Sequence, residues 1–149
     1  MQFNLNPTFV YNKDNGSTIC ILKDTKNNTY TGVAQCHPDD MDMENHLTGE
    51  EIAYRRAYIN YLKMLRDTTV PKLEVLQHLY SCIAQAANFN PKDNNVRLLI
   101  RAIEDYSAGV DMLRQAVRDE RDMLHQYLID KAKLYKQIRE SRNNTAKNN

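Results

Sequence analysis

The chain has little of what marks most binding or catalytic architectures. Tryptophan is absent, and glycine and proline number four each in 149 residues. With so few glycines, no glycine-rich phosphate loop is written in it. The cysteines, Cys20, Cys36 and Cys82, are odd in number, far apart and form no CxxC pair, which excludes a disulfide framework and suggests reduced thiols in the cytoplasm. No apolar run approaches the length of a membrane span, and the opening MQFNLNPTFVYN lacks the basic start and apolar core of a signal peptide. A dominant charge is missing too, the formal net charge being +1. Residues 1–69 hold seven Lys/Arg against nine Asp/Glu, and residues 70–149 thirteen against ten. That balance argues against a protein that coats duplex nucleic acid, while leaving room for a local anion pocket.

What is present reads as sheet, then helix. Thr8–Tyr11, Thr18–Leu22 and Thr29–Cys36 are strand-like runs, separated by Asp14-Asn15-Gly16 and the polar stretch from Thr25 to Asn28. They predict a three-stranded antiparallel meander packed on a helix. Thr48 and Glu51 have capping-box spacing, and Tyr54, Ala57, Tyr58, Tyr61, Leu62 and Leu65 share a helical face. Pro71 predicts a break, with Thr69 capping a second helix whose stripe is Leu73, Leu76, Tyr80, Ile83 and Ala87. Asn88 to Asn95 reads as a loop. Ile103, Tyr106, Val110, Leu113, Val117, Glu120, Leu124, Tyr127, Lys131, Leu134 and Ile138 then recur in steps of three and four. Only Glu120 and Lys131 break that apolar repeat. It predicts a long helix that pairs with others, with Gly109 as its weak point and the place for a kink. The expected class is α+β: residues 1–69 a meander-plus-helix unit, 70–142 a helical region forming an oligomeric bundle or coiled coil, and 143–149 a flexible polar tail.

The stretch QCHPDDMD (Gln35 to Asp42) packs a thiol, an imidazole and three carboxylates together. It resembles the His-Pro-Asp-Asp motif of zinc-dependent deacetylases of N-acetylglucosamine derivatives. Their downstream histidine pair is missing here, and their alternating α/β fold is at odds with a meander. The stretch therefore reads as an acidic connector from strand to helix, and neither metal nor cofactor is expected. No nucleophile–base pair is recognisable either, so the chain is not expected to be an enzyme.

In its wider setting, TGVAQCHPDDMDMENHLTGEEIAYRRAYINYLKMLR (Thr31 to Arg66) resembles a unit of small bacteriophage proteins. There a Gly-x-Ala strand leads through Pro-x-Asp and a glycine to a helix reading Ile-Ala-x-x-Arg-Ala. The matching residues are Gly32, Ala34, Pro38, Asp40, Gly49, Ile52, Ala53, Arg56 and Ala57, about a quarter of the chain at motif level. The arrangement is similar to a double-stranded-RNA-binding domain. Among phage proteins with such a sheet and long helices are the Thoeris anti-defence sponges. That resemblance implies a protein of the host cytoplasm that sequesters a cyclic nucleotide immune signal without degrading it. Arginines for phosphate, aromatics for bases and amides for base edges would serve such a ligand. Arg55, Arg56, Phe89, Asn94, Arg97 and Arg101 are the ligand-binding candidates, with the helix N-terminus near Asn94 as a further attraction for anions. Each has a structural alternative: core packing for the tyrosines and Phe89, solvated or paired charge for the arginines. The alternative functions are a protein-interaction module working through the helices and, against the acidic run before the first helix, nucleic-acid binding.

Overall fold

The computed structural model describes residues 5–36 and 46–147. The connector His37 to Asp42 therefore lies outside the described residues, and only Gln35 and Cys36 of that stretch fall within them. The element order is β1 (Asn6–Asn12), β2 (Ser17–Lys23), β3 (Thr29–Gln35), α1 (His46–Ala84) and α2 (Asn94–Lys147). The chain forms two compact units, Met1–Tyr61 with Asp119–Asn149, and Leu62–Arg118.

In the first unit the strands form the expected antiparallel meander, in the order β1-β2-β3. Its turns are built by side chains. Gly16 takes a positive φ of 62°, and Asn12 and Asn15 accept from the Asp14 and Ser17 amides. At the second turn Asp24 accepts from the amides of Lys26 and Asn28, the Asn28 side chain and the Tyr30 hydroxyl. Strict alternation sends Thr18, Cys20, Leu22, Tyr30, Gly32 and Ala34 to the buried face. On the other face Val10, Ile19 and Val33 align across the three strands, and both valines are exposed.

Small residues bring α1 against that sheet. A Cβ at Gly32 would lie 2.1 Å from the Ala53 carbonyl oxygen and 2.3 Å from the Ala57 nitrogen, and both alanines are fully buried. Gly49 similarly leaves space for the buried Thr18, whose hydroxyl would be 2.6 Å from an added Cβ. Thus the Gly-x-Ala and Ile-Ala-x-x-Arg-Ala letters describe one close strand-to-helix contact. Beside it, Arg56 donates to the Val33 carbonyl and Asn60 Nδ2 donates to the Thr31 carbonyl at 2.9 Å. These bonds occupy acceptors on the outer edge of β3. Strand β1, the other edge, carries no charged residue of the kind that blunts exposed edges.

Two expectations about α1 need correction. Thr48 lies inside the helix, which begins at His46, so it is not the N-cap. Nor does Pro71 start a second helix: α1 runs through it for 39 residues. The proline removes a backbone donor within the helix, which ordinarily costs about 3 kcal/mol. Nearby, the Thr69 hydroxyl donates to the Leu65 carbonyl at 2.6 Å, and Thr68 donates to the carbonyls of Met64 and Leu65. Thr69 thus serves the helix from within. The stripe Leu62, Leu65, Thr69, Leu73, Leu76, Tyr80, Ile83 keeps steps of three and four across Pro71 and is buried or half-buried throughout, so one helical face continues through the proline.

Helix α2 is unbroken for 54 residues and includes Gly109. Nothing lies within 4 Å of where a Cβ would stand there. Replacing Gly109 by alanine is therefore expected to raise stability by about 0.5–1 kcal/mol, read as a higher midpoint in urea unfolding. A lower midpoint would mean that another surface closes on this position.

Candidate functional site

The six residues expected to bind a ligand fall in separate units. Arg55 and Arg56 are on the part of α1 that packs in the sheet unit, whereas Phe89, Asn94, Arg97 and Arg101 surround the start of α2 in the helical unit.

In the sheet unit, Arg55 is held from both sides. Its Nε donates to Glu51 at 2.7 Å, one turn away, and its Nη1 donates to Glu120 on α2, also at 2.7 Å. The Arg55 side chain is 23% exposed and that of Glu120 11%. Burial opposes the guanidinium charge, but Glu120 and then Glu51 outweigh it and raise the Arg55 pKa. Glu120, one of the two charged residues in the α2 repeat, is therefore the partner of Arg55. Arg56 is exposed and bonds to β3. Both arginines have structural work to do.

A tyrosine cluster lies beside them. Tyr54 and Tyr58 stack with centroids 6.2 Å apart, Tyr58 and Tyr61 at 6.1 Å, and Tyr61 meets Tyr30 edge-on at 5.1 Å. Burial raises the pKa of all four, and at Tyr30 burial together with the bond to Asp24 carries it to about 12. Asp24 itself is pulled below the usual carboxylate range, first by the Asn28 side chain. A phenol whose folded pKa is raised stabilises the fold below its unfolded value, near 10, and that contribution disappears as pH climbs toward 12. An ultraviolet titration should accordingly show Tyr30 ionising well above the usual phenol range, together with loss of the fold between about pH 10 and 12. A Tyr30→Phe variant should hold its near-ultraviolet circular dichroism to higher pH; an unchanged alkaline midpoint would refute the assignment.

In the helical unit the loop between the helices is tied to itself. Asn90 accepts from the Lys92 amide at 3.0 Å, and Phe89 packs edge-on against Tyr80 at 6.3 Å. Phe89 is half-buried there. Asp93 caps α2, its carboxylate accepting from the amides of Asn95 at 2.8 Å and Val96 at 3.4 Å. The anion-binding capacity expected of this N-terminus is thus taken up by the chain's own carboxylate. Its signal, an aspartate just before the helical pattern, was present in the sequence. Asn94, Arg97 and Arg101 are exposed, and among the described residues neither arginine makes an ion pair. They stand one helical turn apart and present two adjacent cations. Arg114, by contrast, pairs with Asp111 at 3.2 Å.

The same unit has a feature that motif reading did not single out. Pro71, Lys72, Val75 and Leu76 of α1 and Ala102 and Tyr106 of α2 line an open apolar groove of about 450 Å³. Large apolar side chains nearby in sequence are left open: Val75 is 67% exposed, Leu98 65% and Met112 74%. These positions fall off the main stripe, and periodicity reports only the dominant face of a helix.

Among the described residues, no helix is long and apolar enough to cross a membrane. Compared with known proteins, the chain matches no family model, no curated protein and no solved structure.

Proposed function

We propose that this protein is a non-catalytic assembly module that works through its helices, first with copies of itself. The observation that carries this reading is the apolar surface left open on the helical unit: the groove at Pro71, Val75, Leu76 and Tyr106, with Leu98 and Met112 exposed beside the main stripe. Large apolar side chains exposed in such number usually mark a contact surface. Native mass spectrometry and sedimentation should find an oligomer that Val75→Asp and Leu98→Asp weaken. A strict monomer at every concentration would remove the reading.

A second reading is favoured by one observation, the unpaired Arg97 and Arg101 on consecutive turns of α2. It is the sponge function implied by the phage resemblance, in which the oligomer holds a cyclic nucleotide signal in the host cytoplasm. The two guanidinium groups would take phosphate oxygens, with Asn94 near them. Isothermal titration with cyclic ADP-ribose-type and cyclic oligonucleotide ligands tests it. Heat that disappears in Arg97→Ala and Arg101→Ala supports it; no heat with any ligand rejects it.

A further inference from the structure

We infer that His78 and Cys82 are one half of a zinc-type metal site that a second copy of the chain completes. They stand four residues apart on α1, on one face of the helix, and both are exposed. The Cys82 Sγ lies 3.6 Å from the His78 Nε2. Zinc holds a thiolate sulfur at about 2.3 Å and an imidazole nitrogen at about 2.1 Å; at a tetrahedral angle the two donor atoms are then roughly 3.6 Å apart. The side chains thus stand at the bite distance that a tetrahedral ion requires.

Among the described residues, no group of three or more His, Cys, Asp or Glu side chains is placed to hold a metal ion. One chain therefore offers two of the four ligands. A two-fold axis brings the same pair from a second chain and completes a Cys2His2 set. The surroundings suit a second copy. From Val75 to Pro91 the chain contains no Asp, Glu, Lys or Arg, so like charge on this face is confined to Glu74, one turn before His78. Leu79, between the two ligands in sequence, is exposed and would be covered by the same approach. Thiolate with imidazole selects zinc over magnesium or calcium. On binding, each thiol releases its proton to solvent and each imidazole coordinates as the neutral ring.

The test is titration of the full chain, kept reduced, with Zn2+ and Co2+. The expected result is one metal per two chains, with a cobalt spectrum showing tetrahedral bands and thiolate-to-metal charge transfer. Cys82→Ser and His78→Ala should each abolish it, whereas Cys36→Ser should leave it intact. Both substituted side chains are exposed, and circular dichroism checks that the variants fold. No binding, one metal per chain, survival in Cys82→Ser or loss in Cys36→Ser would each overturn the proposal. Because the readout is metal stoichiometry, its failure is distinct from failure of metal-free helix assembly.

Discussion

Replacing Gly32 by alanine is expected to destabilise the sheet unit by about 3 kcal/mol or more, at the upper end of what overpacking costs. The added methyl group would stand 2.1 Å from the Ala53 carbonyl oxygen and 2.3 Å from the Ala57 nitrogen. Both obstacles are backbone, so no rotamer change relieves the clash, and the helix has to move away from the strand. That movement would also stretch the bonds from Arg56 and Asn60 to the β3 carbonyls. The Gly109→Ala variant is the matched control, the same substitution with an effect of opposite sign. A Gly32→Ala protein with an unchanged urea midpoint would show that α1 does not approach β3 so closely.

The second large effect is expected at Glu120. Truncating it to alanine leaves a three-quarters-buried Arg55 with Glu51 as its remaining carboxylate partner. Losing one partner of a buried ion pair costs about 3–5 kcal/mol, and the partial exposure here brings the expectation to about 2–3 kcal/mol. Replacing both residues together, Arg55→Met with Glu120→Leu, should recover most of that loss, because neither charge then remains unpaired. A double-mutant cycle followed by chemical unfolding measures the coupling. Additive effects would mean the two side chains do not interact. Such a pair in a mostly apolar repeat also restricts which registers the helices can adopt, since a slipped register leaves a charge among apolar residues.

The Gly-x-Ala and Ile-Ala-x-x-Arg-Ala letters acquire a physical content from these contacts. Gly32, Ala53 and Ala57 are small because backbone meets backbone there, and Gly49 is small because Thr18 is beside it. Arg56 at its position serves the sheet edge. These residues describe a way to dock a helix on a small sheet, and such a scaffold can carry many functions.

The local features were legible in the sequence by itself. Turn letters and alternation placed the three strands, because a strand's burial pattern has period two and a turn needs Asn, Asp or Gly in a few positions. Steps of three and four placed the helical faces. The uses of individual side chains depended on tertiary structure. Arg55 and Arg56 looked like phosphate ligands because, apart from Glu51 one turn before Arg55, their partners are remote: Glu120 is 65 residues away and Val33 is 23. Pro71 looked like a boundary because its local cost is plain, whereas the apolar stripe that continues across it is spread along the helix. Composition along the chain shows which groups can bond or bind; only the fold decides which of them are already engaged with one another, and here it set His78 against Cys82 and left Arg97 and Arg101 exposed without an ion pair among the described residues.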